Sequence, residues 1–320
     1  MRKVVVLSNN KGNDAYQYEI EQINKLGDAE FIVAPTTDAD EAIPYVRDAE
    51  VILFTATKIN ESFVSKLEKC KLIIRYGIGY DNVDLKATAE RGIFVCNSPN
   101  YGVIDVAEHA LSLMLAAAKK TSAMAERVKM GKWGSDGTPF IRLGGKTIGF
   151  IGFGNIGKAL CKMINGLGMR PIVYDPFVSN DVLEEYGAEK IELDELLVEA
   201  DFVSLHLPLN DSTRHMISKE TFKKMKSSAI LINTSRGPIV DEAALIEALE
   251  AGQIAGVGLD VFENETVPVD ERLANSPRAV LTPHVAWNTD TAVVALHKEV
   301  GDNVVRYLKG ERPHSIVNGL

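Results

Sequence analysis

The stretch Lys146–Leu160, KTIGFIGFGNIGKAL, decides how the whole chain reads. An apolar run ends in Gly152, Gly154 and Gly157 at G-x-G-x-x-G spacing, and helix-period residues follow at once. Gly152 allows a tight turn, Gly154 lets a pyrophosphate approach the backbone, and Gly157 permits close helix packing, with the helix N-terminus facing the phosphate charge. The motif alone is weak. It gains from Asp175, which closes the next apolar run in VYDPF, where a carboxylate accepts from both ribose hydroxyls of NAD and repels the extra phosphate of NADP. The bland alternative is that the glycines only end a strand and Asp175 is a turn residue before Pro176.

A loop of this kind usually opens a domain, yet here it begins almost halfway along a chain of 320 residues. That length exceeds the ~250 to 300 residues at which single cores stop growing, so two domains are expected. Runs rich in Val, Ile and Leu alternate with amphipathic segments from the start, the pattern of an α/β protein with parallel sheets. KVVVL, FIVA, VILF, KLIIR and IFVCN give strands of a first unit, with a helix through DAYQYEIEQINKL. From Tyr101 a second unit begins with one long helix through VIDVAEHALSLMLAAAKKTSAMAERV. Six strands follow at TIGFIG, RPIVYD, DFVSL, AILINT, GVGLDV and AVLTPH, which suit a doubly wound sheet with its crevice at the strand carboxyl ends. The last amphipathic helix, TAVVALHKEVGDNVVRYLKG, has no sheet of its own. It is expected to return to the first unit, so that residues 101–285 are an insertion within a domain built from residues 1–100 and 286–320.

Composition narrows the partners. With 46% hydrophobic and 25% charged residues the chain is an ordinary globular protein, and a net charge of -9 with interspersed signs offers no basic stripe for direct nucleic-acid binding. The N-terminal apolar run is too short for a signal peptide, and ALSLMLAAA is too short to span a membrane, so a cytoplasmic location is expected. Cys70, Cys96 and Cys161 are widely spaced in apolar surroundings and read as buried thiols; no metal site is expected.

Three ionisable residues stand at or beyond predicted strand ends of the second unit: Arg236 in INTSRGPIVDEAAL, Glu265 in LDVFENE and His284 in LTPH. Beside a hydride acceptor they suit oxidation of a hydroxy acid. Arg236 can fork onto a substrate carboxylate, and His284 can take the hydroxyl proton, worth ~10² to 10⁴ in rate for a positioned acid or base. Glu265 would hold the imidazole and favour its protonated form. Each has a plainer alternative: a structural histidine, an arginine bridging loop carbonyls, and a solvated glutamate in ENETVPVDE.

At this point seven motifs in one order become informative: RYGIGYDNVD, VAEHAL, GFGNIG with Asp175, HLPLNDST, INTSRGPIVDEAAL, GVGLDVFENE and LTPHVAW. Over essentially its full length the chain resembles the D-isomer-specific 2-hydroxyacid dehydrogenases. The resemblance implies a Rossmann-type doubly wound sheet inserted into a flavodoxin-like α/β substrate domain, NAD as cofactor, a small 2-keto or 2-hydroxy acid as substrate, and a homodimer with the long helix near Asp105 at its interface. It also implies Arg236 in substrate binding, Glu265 and His284 as the acid and base pair, and cofactor contacts from Asn155, Ile156, Asp175, Leu207, Thr213, Thr234, Ser235, Arg236 and Asp260. The backbone of Tyr76, Gly77, Ile78 and Gly79 would cradle the substrate carboxylate.

Thr266 departs from the proline common after the glutamate, which leaves the VPVDERL loop freer. Formate dehydrogenases of this fold carry glutamine at the position of Glu265, so the chain looks like the hydroxy-acid branch. It is expected to lack the regulatory domain of long phosphoglycerate dehydrogenases. Arg75 and Trp287 resemble the C-terminal binding protein branch. Trp287 then forms a flat wall of the substrate pocket, or packs at the hinge; Arg75 is a second carboxylate-pocket cation, or a strand-end surface residue. That branch also supplies a rival function, an interaction protein whose assembly senses NAD(H).

Overall fold

The apolar runs singled out in the sequence become parallel strands in a computed structural model that describes residues 1–9 and 12–320. The described chain forms two compact units, Met1–Gly102 with Asn288–Leu320, and Val103–Trp287.

In the first unit five strands, β1 (Arg2–Leu7), β2 (Ala29–Ala34), β3 (Val51–Phe54), β4 (Leu72–Arg75) and β5 (Phe94–Cys96), pair in the order β2-β1-β3-β4-β5. All four pairings are parallel, the flavodoxin-like order. Val4–Leu7 and Val51–Phe54 are buried throughout, because helices cover both faces and leave no polar side for alternation to mark. The helix Asp290–Leu308, from the far end of the chain, packs on the helix Gln17–Asn24.

The second unit has seven strands: β6 (Thr147–Ile151), β7 (Arg170–Tyr174), β8 (Glu189–Lys190), β9 (Phe202–Leu205), β10 (Ile230–Asn233), β11 (Gly256–Leu259) and β12 (Ala279–Leu281). They run parallel in the order β12-β11-β10-β9-β6-β7-β8. The order reverses between β6 and β9, which puts the ligand crevice at the carboxyl ends of those two strands.

Two expectations need correction. The sheet has seven strands rather than six, because β8 is only Glu189–Lys190, both exposed at the edge, with no apolar run to signal it. The long helix is two, Val103–Lys119 and Thr121–Lys129, broken at Lys120 with φ 53°. The cause is tertiary. The carbonyl of Ala118 accepts from Ile141 N–H at 3.0 Å, and Lys119 Nζ donates to the Ile141 carbonyl at 2.8 Å, so the returning chain caps the first helix. No glycine or proline announces that break.

Candidate active site

Gly152 follows β6 with φ 88°, and a Cβ there would lie 2.5 Å from the carbonyl oxygen of His206, beyond β9. Only glycine lets the two strand ends approach so closely. Gly154 then starts the helix Asn155–Asn165 in an extended conformation with no side-chain cap, so the first-turn N–H groups of Asn155, Ile156 and Gly157 stay open to an anion. Asp175, beyond β7, is held by three backbone donors: Phe153 N–H on Oδ2 at 2.8 Å, and Phe177 and Val178 N–H on Oδ1 at 2.8 and 3.2 Å. Its carboxylate is therefore fixed beside the glycine turn.

Other expected cofactor residues differ in what they leave available. Thr234 Oγ1 is buried and has no hydrogen-bond partner, as suits a group awaiting a ligand. The Ser235 hydroxyl donates to the Leu205 carbonyl at 2.5 Å, and Thr213 Oγ1 donates to the Pro208 carbonyl at 2.7 Å, so both also shape their own loops. Leu207 packs on the glycine turn, its Cδ2 2.9 Å from where a Gly152 Cβ would be. The uncapped helix, the close approach at Gly152 and the orphan hydroxyl of Thr234 fit a dinucleotide.

Glu265 Oε2 meets His284 Nδ1 at 2.8 Å, both side chains part-exposed. Burial is the largest single influence on Glu265 and opposes ionisation. The hydrogen bond and charge of His284, the Phe262 N–H and the charge of Arg236 together outweigh it and hold the carboxyl below its ordinary value. Arg236 thus belongs electrostatically to the pair. Its approach depends on Gly237, where a Cβ would fall 1.7 Å from the Phe262 carbonyl oxygen. The backbone turn carrying Arg236 therefore rests directly on the loop that leads to Glu265. His284 has φ 55°, unusual for a residue with a side chain, and its N–H donates to the Asp260 carbonyl at 2.7 Å.

Asp260 is wholly buried and organises that loop. Oδ1 accepts from the Thr282 hydroxyl at 2.6 Å and Val285 N–H at 3.0 Å, and Oδ2 from Ala286 N–H at 2.8 Å. Burial opposes its ionisation, and bonds from His109, Thr282, Val285 and Ala286 overcome that. His109 stands 2.9 Å from Thr282 Oγ1 and 3.5 Å from Asp260 Oδ1, an arrangement that sequence reasoning missed. Its only signal was a histidine among the buried alanines and leucines of its helix, in VAEHAL. Asn233 was also missed: its side chain accepts from Ser235 N–H at 3.0 Å and donates to the Arg236 carbonyl at 2.9 Å, shaping the arginine turn.

Tyr76, Gly77, Ile78 and Gly79 belong to the first unit, directly after β4 and Arg75. Asn97 Nδ2 donates to the Ile78 carbonyl at 2.7 Å and Ser98 N–H to the Gly77 carbonyl at 3.0 Å. The Ile78 and Gly79 N–H groups have no acceptor among the described residues. The Arg75 guanidinium folds over Gly77, its Nη1 1.6 Å from where a Cβ would be. The Tyr76 ring turns into the core, so only its backbone borders the turn. Trp287 is the last residue of the second unit. The three cysteines are buried, and burial pushes the thiols up to about 12 at Cys70 and Cys96 and about 11 at Cys161, which makes them poor nucleophiles.

A doubly wound sheet with an open phosphate cradle and an imidazole–carboxylate pair beyond its strand ends defines a class, the dinucleotide-dependent oxidoreductases. Residues 111–286 match the family model of the D-isomer specific 2-hydroxyacid dehydrogenase, NAD binding domain. The chain is 39% identical to a glyoxylate reductase of Korarchaeum cryptofilum, over 86% of this chain and 85% of that one. It is 38% identical to a D-3-phosphoglycerate dehydrogenase of Methanocaldococcus jannaschii, over 93% of this chain but only 57% of that one. A D-lactate dehydrogenase of Aquifex aeolicus, solved with NAD and lactic acid, superposes with a TM-score of 0.87 at 31% identity, covering 96% of both chains. The chain therefore belongs to the D-isomer-specific 2-hydroxyacid dehydrogenase family, as an NAD-dependent oxidoreductase.

Proposed function

We propose that the protein interconverts a small 2-keto acid and its (R)-2-hydroxy acid, with glyoxylate and hydroxypyruvate as the first substrates to test. The names of its relatives motivate that choice: glyoxylate reductases, and the glyoxylate/hydroxypyruvate reductase B of Serratia proteamaculans. NAD, when bound, supplies the hydride acceptor or donor. Arg236 grips the substrate carboxylate and polarises the neighbouring oxygen. His284 has Nδ1 committed to Glu265, so Nε2 takes the substrate hydroxyl proton in oxidation and returns it in reduction. Glu265 orients the ring. The single observation that carries this reading is the 2.8 Å His284–Glu265 contact in the electrostatic reach of Arg236.

The cofactor sits with its pyrophosphate on Gly152–Gly157 and its ribose on Asp175, while residues 76–79 bind the substrate carboxylate. No described helix is long and apolar enough to cross a membrane, and a cytoplasmic location is part of the proposal. So is a homodimer. The helix Thr121–Lys129 buries no residue of its own, and Val128, Met130, Trp133 (90% exposed) and Phe140 put apolar side chains on the surface, a face suited to a second copy.

Loss of NADH absorbance across glyoxylate, hydroxypyruvate, pyruvate and branched 2-keto acids tests the reading. The parent should turn over at least one acid, and His284→Ala should lose ~10² to 10⁴ in kcat. No turnover, or an alanine variant equal to the parent, overturns it. Sedimentation with and without NADH tests the dimer and separates this reading from an NAD(H)-sensing interaction protein.

A further inference from the structure

Glu19, in the helix Gln17–Asn24, is 0% exposed. Its Oε1 accepts from the Tyr76 hydroxyl at 2.7 Å and from His297 Nδ1 at 2.7 Å. Oε2 has no partner. Tyr16 borders both rings, its centroid 6.1 Å from Tyr76 and 5.7 Å from His297. Gly301 lets the helix Asp290–Leu308 come this close, since a Cβ there would lie 2.9 Å from Tyr18 Cδ1 and 3.3 Å from Glu19 Cγ.

A buried carboxyl with an unsatisfied oxygen is a net cost to folding that an apolar side chain of similar size would avoid. What the carboxyl does gain is a fixed Tyr76. That residue leads the turn of residues 76–79, and it is the side chain through which the turn is bolted to the core. The other ties are to the turn's backbone: Gly77 N–H to the Arg75 carbonyl at 2.9 Å, with Asn97 and Ser98 holding the carbonyls of Ile78 and Gly77. Those bonds take up carbonyl oxygens and leave the Ile78 and Gly79 N–H groups for an anion.

We propose that Glu19 and His297, brought together on one oxygen from opposite ends of the chain, position Tyr76 and thereby set the carboxylate-binding turn. Neither touches substrate; both act through the tyrosine. The proposal rests on the reading of residues 76–79 as the carboxylate cradle. Removing either end of the Glu19–Tyr76 bond frees the ring and loosens the turn, so KM for the keto acid rises while the hydride-transfer machinery of the other unit is unaltered.

The test compares Tyr76→Phe, Glu19→Ala, Glu19→Gln and Gly77→Ala in the full-length protein, with NADH and glyoxylate or whichever keto acid the parent turns over best. KM, kcat and NADH affinity by fluorescence titration are measured, alongside thermal melts. Tyr76→Phe and Glu19→Ala should raise KM about tenfold, equivalent to ~1.4 kcal/mol, with kcat and NADH affinity within about twofold. Glu19→Gln, whose amide oxygen can still accept from Tyr76, should stay within about threefold of the parent. If Gly77→Ala raises KM but Tyr76→Phe and a folded Glu19→Ala do not, the positioning role fails and the cradle stands. If Gly77→Ala leaves KM unchanged as well, the cradle reading itself fails and takes the proposal with it. Equal losses in KM, kcat and NADH affinity would reduce Glu19 to a folding element. Should Glu19→Ala not fold, Tyr76→Phe decides alone.

Discussion

Replacing Gly237 by alanine probes how Arg236 and Glu265 come to share one site. The new Cβ would lie 1.7 Å from the Phe262 carbonyl oxygen, 1.9 Å from its carbon and 2.5 Å from Glu263 N. Ordinary contact begins at 3.4 Å, so two stretches of backbone, with no flexible side-chain tip between them, must part by roughly 1.7 Å. Arg236 is the immediate neighbour on one side, and the loop to Glu265 lies on the other. A displacement of ~1 Å in a positioning group can cost 10²-fold, so kcat/KM for the best keto acid should fall by about 10² or more. Overpacking of this kind destabilises by ~1 to 3 kcal/mol, which for a unit of this size lowers Tm by several degrees without preventing folding. NADH affinity should fall by less than kcat/KM, because the glycine turn and Asp175 stand on β6 and β7, and of the expected cofactor contacts Thr234, Ser235 and Arg236 adjoin the overlap. Steady-state kinetics, NADH fluorescence titration and a thermal melt make the comparison. A kcat/KM within about threefold of the parent would show that the close approach at Gly237 does not set the geometry of Arg236 against Glu265. A matching loss of NADH affinity would point instead to rearrangement of the whole unit.

Two further outcomes follow from single residues. Asp175→Ser removes a carboxylate pinned by three N–H groups, so the NADPH/NADH ratio of kcat/KM should rise at least about tenfold; a parent that already favours NADPH would refute the assignment. His206 is part-buried, and the desolvation of its ring lowers it to about 4 from the ordinary 6.5, so it is neutral in the folded protein while the unfolded chain takes up a proton below pH 6.5. Stability should therefore be lost as pH falls through that window, by roughly 2 kcal/mol from this group between pH 7 and pH 5. Urea melts of the parent and His206→Asn at both pH values isolate the effect, and identical slopes would disprove it.

Both sheets were legible in the sequence because local chemistry fixes them. VVVL, VILF and TIGFI are apolar runs closed by turn residues, and the strands they form are buried on both faces. Gly152, Gly154 and Gly157 announce their turn by spacing alone. The last helix has no sheet beside it in the sequence, which points it to the first unit, and it packs there on Gln17–Asn24. The break at Lys120 and the strand β8 were not legible, since one depends on Ile141 pairing with Ala118 and the other on a two-residue edge.

Within the site, residue types and strand ends marked Arg236, Glu265 and His284 as candidates, but no spacing states that Glu265 meets His284 at 2.8 Å. That contact depends on β11 and β12 lying side by side, and the approach of the Arg236 turn to the Phe262 loop depends on the bare Cα of Gly237. The links from His109 to Thr282 and from Glu19 to Tyr76 and His297 have the same origin, since their members are far apart in sequence. Periodicity and turn chemistry act over a few neighbouring residues and so can be read along the chain. Hydrogen bonds and charge coupling act across a few ångströms of space, and only the packed sheets determine which distant side chains come that near.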